Sequence, residues 1–142
     1  MTTITQWKDL AVGQEACLEH TFSAEDVAHF AALCGDNQPL HLDADFAART
    51  FFKQPIVHGM LTASLFSTLI GTRLPGPGSI YIGQNLTFLR AVYMNETVRA
   101  CMRITALDLD KERIYLTGEI TNTAGKAVLS GTSEVTLLRN LD

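Results

Sequence analysis

The chain is poor in the residues on which several large functional classes depend. It holds three cysteines, Cys17, Cys34 and Cys101, odd in number, widely spaced and without a CxxC pair. A disulfide framework or a cysteine zinc site needs paired or clustered thiols, so the expectation is reduced thiols in a cytoplasmic protein. Basic residues never run together, and 11 Lys and Arg against 15 Asp and Glu leave a net charge of −4. A surface that follows nucleic-acid phosphates requires clustered positive charge, which argues against that partner. Long apolar runs are also missing. The longest, around Met60 to Ile70, is broken by Thr62, Ser64, Ser67 and Thr68, far short of the ~20 residues that cross a bilayer. Met1 to Lys8 is polar, without the basic start and apolar stretch of a signal peptide. Neither GxGxxG, a P-loop nor a GxSxG elbow is present, and His20, His29, His41 and His58 lack metal-ligand spacing. No metal and no separate cofactor are expected.

What is present fits one α+β domain over residues 1–142. With 46% hydrophobic and 18% charged residues, the chain can bury a core of its own but not two. Ser23-Ala24-Glu25-Asp26 has the form of a helix start, and Val27, Phe30, Ala31 and Cys34 follow at helical spacing up to Gly35. Asp43 predicts the cap of a short helix from Ala44 to about Arg49. From Gly59 to about Ile70 the pattern is apolar on nearly every side, which predicts a helix surrounded by protein. After Ser79 the period changes to two. Ile80, Ile82, Leu86 and Phe88, then Val98 to Ala106, then Ile114 to Ile120, and finally Ala127 to Leu138 predict antiparallel strands joined by short turns. A curved sheet wrapped around the Gly59 helix satisfies both patterns.

Chemistry-bearing residues concentrate in Gly35-Asp36-Asn37-Gln38-Pro39-Leu40-His41. Pro39 disfavours a helical Gln38 and predicts an extended, irregular stretch on which Asp36 and His41 could converge. A carboxylate and an imidazole aimed at one point can hold a water and move protons at neutral pH. The plainer alternative has Asp36 capping a turn and His41 as a partly buried polar residue. Gly59, at the start of the apolar helix, could present an unpaired amide to a ligand oxygen as an oxyanion hole, or could simply allow a tight start. His58 reads as structural, its ring tying down the loop. Ser67 either bonds back to a helix carbonyl or faces the same cavity as Asp36 and His41.

Gly35-Asp36-Asn37-Gln38-Pro39-Leu40-His41 closely resembles the hydratase 2 motif G-D-x-N-P-[LIV]-H of MaoC-like dehydratases. Pro55-Ile56-Val57-His58-Gly59-Met60-Leu61, the helix through Ser67, and Leu74 to Tyr81 with Asn85 to Arg90 resemble the following segments of short (R)-specific enoyl-CoA hydratases. The resemblance runs from about Val12 to Leu138. It implies a hot-dog fold, a sheet of about five strands around a long helix, and pairing into a homodimer. It also implies hydration of trans-2-enoyl-CoA to (R)-3-hydroxyacyl-CoA, the acyl-CoA thioester being the partner, in fatty-acid metabolism or polyhydroxyalkanoate precursor supply. Asp36 and His41 match the family's catalytic pair, Gly59 its oxyanion-hole amide and Ser67 an active-site helix serine. Four positions depart from the pattern: Gln38 stands for the Asn before proline, Ala91 for a proline after Arg90, and Asn95-Glu96 for a turn Gly-Asp. Gln38 is expected to support the catalytic loop through its amide. Two rival readings follow from the same resemblance, a hot-dog acyl-CoA thioesterase and an inactive subunit that only binds acyl thioesters.

Overall fold

Ser23 starts the first helix by exchanging two hydrogen bonds with Asp26. The Asp26 N–H donates to Ser23 Oγ at 3.1 Å, and the Ser23 N–H donates to the Asp26 carboxylate at 2.9 Å. That reciprocal cap satisfies amides a helix start leaves unpaired. The computed structural model describes residues Met1 to Arg139, and in it this helix, α1, spans Ala24–Cys34 and ends on Gly35 in the left-handed region. Gln38 is extended as expected, but Pro39 opens a one-turn helix, α2 (Pro39–Leu42), instead of continuing an extended stretch. Pro lacks the N–H that a first helical residue would leave unpaired, and its fixed φ suits that place. Asp43 accepts from the Phe46 N–H at 3.0 Å and caps α3 (Ala44–Ala48).

Helix α4 runs Gly59–Thr72 and carries the centre of the core. Phe66 and Leu69 are fully buried and Ile70 nearly so, each side chain adding about 1.5–3 kcal/mol of apolar burial. Phe66 is seated by a glycine: a Cβ on Gly118 would lie 2.8 Å from its ring. The expectation that protein surrounds this helix holds for one face only. Met60, Ser64, Ser67 and Thr68 lie along the opposite face and are exposed.

Six strands form one antiparallel sheet, where about five were expected: β1 (Glu15–Thr21), β2 (Ser79–Gln84), β3 (Thr87–Phe88), β4 (Thr97–Asp108), β5 (Arg113–Thr121) and β6 (Ala127–Leu137). Their order is β1-β4-β5-β6-β2, with β3 paired to β6 beyond the break after β2. Val98, Ala100, Met102 and Ile104 of β4, and Ile114, Leu116 and Ile120 of β5, point to the core. α4 lies against β4, β1 and β2, which is the helix-in-sheet arrangement of a hot-dog fold. In β2 the apolar alternation faces out of the chain, leaving Ile80 and Ile82 exposed. No described helix is long and apolar enough to cross a membrane.

The thiol expectation is corrected. Cys17 and Cys101 stand directly opposite each other across β1 and β4, with Cα atoms 4.1 Å apart, and form a disulfide. Cys34 is free and exposed. Eighty-four residues separate the bonded pair, so spacing carried no hint of it; only strand register brings the two together.

Candidate active site

Three polypeptide stretches meet at one cavity of about 460 Å³. The turn after α1 brings Asp36, α2 brings His41, and the start of α4 brings His58 and Gly59. Facing them is an apolar wall of Phe88 to Val92 with Val128 and Leu129, interrupted by Arg90. The carboxylate of Asp36 and ring nitrogens of His41 and His58 lie within 4.8 Å of one another. The two residues singled out by spacing are therefore neighbours in space, although His41 is placed by a helical turn and not by an extended loop.

Hydrogen bonding to backbone carbonyls fixes how these imidazoles present themselves. His41 Nδ1 lies 2.7 Å from the Ile56 carbonyl oxygen. A carbonyl only accepts, so Nδ1 carries the hydrogen and Nε2 is left as the nitrogen with a free lone pair when the ring is neutral. His58 Nε2 lies 2.9 Å from the carbonyl oxygen of Asp36 and donates to it by the same logic. The His58 ring therefore ties down the loop, as its sequence position suggested. Its Nδ1 is buried with no partner, a state that costs about 1–3 kcal/mol for a polar group. The two rings stack with centroids 3.9 Å apart and planes 25° from parallel.

Asp36 is exposed on the cavity side of its turn, and its Oδ1 accepts weakly from the Gln38 N–H at 3.3 Å. The turn-capping role and a place in the cavity thus coexist, because a carboxylate has a second oxygen to offer. Gln38 supports this turn through its backbone: its carbonyl also accepts from the His41 N–H at 3.0 Å. Its side chain is exposed and outside the cavity lining. Ser67 lies on the exposed face of α4 and is not brought to the cavity in the single chain; Thr62 of the same helix lines it instead.

Gly59 is the first residue of α4, where an amide has no carbonyl partner within its own helix. The space beside its Cα is taken by a neighbour. A Cβ there would lie 2.6 Å from Phe88 Cε1. Phe88 thus packs directly against Gly59, a contact between β3 and α4 that no local pattern announces.

Asp36, His41 and His58 are also the residue types that hold transition metals. Two of the four ring nitrogens are already given to carbonyls, however, and stacked rings aim their remaining nitrogens poorly at a common ion. The donor set fits proton transfer better than metal binding. A second group, Glu15 with Cys17 and Cys101, is close enough for a metal, but its thiols are joined to each other.

A carboxylate, two imidazoles and a helix-start amide thus share one cavity with an apolar wall, and the chain as a whole is similar to known proteins. The chain is 50% identical over 130 residues to the (R)-specific enoyl-CoA hydratase of Aeromonas caviae, covering 92% of this chain and 97% of that one. It is 42% identical to the (R)-specific enoyl-CoA hydratase of Rhodospirillum rubrum, covering 91% and 89%. The solved structure of the A. caviae (R)-hydratase, described as involved in PHA biosynthesis, superimposes with a TM-score of 0.89 over 92% of this chain and 98% of that one. The MaoC like domain matches residues 9–126, so that β1 through β5, both short helical turns and every cavity residue from Asp36 to Val92 fall inside it. By sequence over most of its length, and by fold, the chain belongs to the MaoC-like domain family.

Proposed function

We propose that the chain catalyses the reversible, (R)-specific hydration of trans-2-enoyl-CoA to (R)-3-hydroxyacyl-CoA. The observation that carries this reading is the meeting of Asp36 and His41 in one cavity beside the Gly59 amide. The A. caviae and R. rubrum relatives, named as (R)-specific enoyl-CoA hydratases, support both the reaction and its stereochemistry. An enoyl thioester is electrophilic at Cβ provided its carbonyl oxygen can take up negative charge. The Gly59 N–H stabilises that charge as the enolate forms. With Asp36 ionised and His41 neutral, both groups accept hydrogen bonds, so one water can give a hydrogen to each and turn its lone pair toward Cβ. The Cβ–O bond forms as a water O–H bond breaks. The proton passes through the pair to Cα on the same face as the enolate collapses. The Nδ1 hydrogen of His41 is held by the Ile56 carbonyl, so the proton taken from water is the one returned.

Nothing in this sequence of steps calls for a metal or redox cofactor. The working unit is a homodimer in this reading, supported by the open edge of β2 and the apolar side chains it exposes. The proposed setting is the cytoplasm, where CoA thioesters are made and used. Purified protein given crotonyl-CoA should consume the conjugated enoyl group without releasing free CoA, and exhaustive chelation should leave the rate unchanged. Asp36→Asn and His41→Ala should each lower kcat by about 10²–10⁴-fold with the far-ultraviolet circular dichroism intact. Release of free CoA would assign the site to thioester hydrolysis instead, and a wild-type rate for Asp36→Asn would remove Asp36 from the chemistry.

A further inference from the structure

His58 does more than close a loop. Its ring is 2% exposed and packs against two others, Phe30 in an edge-to-face pair with centroids 4.8 Å apart and His41 stacked at 3.9 Å. At its rim, Nε2 donates to the backbone carbonyl of Asp36. The other nitrogen, Nδ1, is sealed away from water and from every donor. A residue needed only to fill this space would be apolar, and one needed only to tie the loop would not keep a buried nitrogen idle. Buried polar groups without partners are rare enough to call for a reason. The reason here is that two demands fall on one side chain. The Asp36 carbonyl requires a donor at a fixed reach, and the His41 ring requires a flat aromatic face. Phe supplies the face without the donor, and Gln supplies the donor without the face. An imidazole supplies both and carries the second nitrogen as a by-product.

We propose that His58 is the positioning residue of the site, setting the Asp36 backbone and the His41 ring in register with each other for the acid–base step. The inference rests on the proposed hydratase reading and assigns His58 no contact with the reacting atoms. Its place in the chain strengthens the case. His58 is the residue before Gly59, so one short segment fixes the acid–base pair on one side and the helix-start amide on the other.

The test is a set of four variants assayed on crotonyl-CoA, with circular dichroism and thermal melts to count only folded enzyme. Gln places a side-chain N–H close to where His58 Nε2 stands, whereas the shorter Asn does not reach it. His58→Leu, which loses both functions, should lower kcat on the order of 10²-fold, the usual cost of a misplacement of about 1 Å, with KM within about twofold of wild type. His58→Gln and His58→Phe should each recover part of that loss, and His58→Gln should exceed His58→Asn. In the His58→Phe variant, nitrogen-15 spectra should still show His41 protonated at Nδ1, because the Ile56 carbonyl remains in place.

The positioning role is overturned if the folded variants keep the wild-type kcat and lose only thermal stability. It is also overturned if His58→Gln and His58→Asn fall equally, or if the change appears in KM alone. Should His58→Leu fail to fold, the His58→Gln and His58→Asn comparison still decides. Failure of the underlying reading looks different, because the wild-type protein itself would then leave crotonyl-CoA unhydrated.

Discussion

Gly59 is a glycine for two reasons that mutation can separate. One is steric, since the Phe88 ring occupies the place of a Cβ. The other is chemical, since its N–H is the donor proposed to face the thioester oxygen. Gly59→Ala should displace Phe88 into the cavity mouth and lower kcat/KM at least tenfold on crotonyl-CoA. In Gly59→Ala/Phe88→Ala the clash is gone and the amide remains, so kcat should return to that of Phe88→Ala alone. Gly59→Pro/Phe88→Ala provides the contrast. Pro suits the first position of a helix, and His58 at φ −55° and ψ 135° already has the backbone that precedes a proline. That variant loses the N–H and should fall a further 10²–10³-fold, roughly the cost of one oxyanion-hole donor. Equal rates for the two double variants would show that the amide takes no part. At this scale the sequence was most informative where the chemistry is local. Asp36 and His41 are five residues apart, with Gly35 just before the pair and Pro39 between them limiting how the backbone can run. Gln38 was named from the motif and Ser67 from its place in the apolar helix as well as from the resemblance; the geometry gives Gln38 a backbone role and Ser67 an exposed place on α4. The stacking of His58 on His41 and the seating of Phe88 on Gly59 depend on tertiary approach, which one-dimensional spacing does not encode.

Helix α1 has the strongest sequence signal of any element and the clearest consequence for stability. The Ser23 amide bonds to Asp26 and holds the Asp26 carboxyl below its ordinary value of 3.8; desolvation opposes this, and the Ser23 hydroxyl with the nearby His20 and His29 reinforces it. A carboxylate favoured in the folded state stabilises the fold above its unfolded value, and that contribution fades as pH falls below 3.8 toward the lowered one. Asp26→Asn should therefore lower the melting temperature at pH 7, and the difference from wild type should shrink as the pH drops below 3.8. Ser23→Ala should cost about 1 kcal/mol at neutral pH. A difference in melting temperature that stays constant across this range would show that the ionised form of Asp26 is not what supports the cap. Legibility varied among elements for definite reasons. α1, α3 and α4 carry caps and apolar periods and stand where expected. β1 escaped notice because Ala16 and Leu18 are its only apolar residues at alternate positions, and an edge strand needs few. The turn at Asn95, where the family pattern has glycine, keeps a left-handed φ of 66°, which Asn tolerates better than other side chains do.

For the molecule as a whole, the unexplained surface is the outer face of β2 with the end of β3. Ile80, Ile82, Phe88 and Leu89 are each between 39% and 53% exposed, next to an unpaired strand edge. Light scattering at micromolar concentration should give about twice the 15.5 kDa chain mass, and Ile82→Glu should shift that mass toward one chain without unfolding it. A wild-type mass of one chain would refute the dimer. The general architecture was legible because a helix this apolar needs a sheet to cover it and four runs of period two were there to do so. The exposed face of α4, the outward face of β2 and the Cys17–Cys101 bond were not, since each depends on which strands become neighbours. The division of the cavity has a consequence for how such a protein can change. Its polar groups Asp36, His41 and His58 all come from residues 36–59 and are fastened by carbonyls and ring stacking, while the facing wall is supplied by strand residues such as Val128 and Leu129. On the proposed reading, substitutions in that wall should alter which acyl groups are accepted while leaving the polar cluster untouched. Selectivity and reactivity are thus free to drift along separate mutational paths.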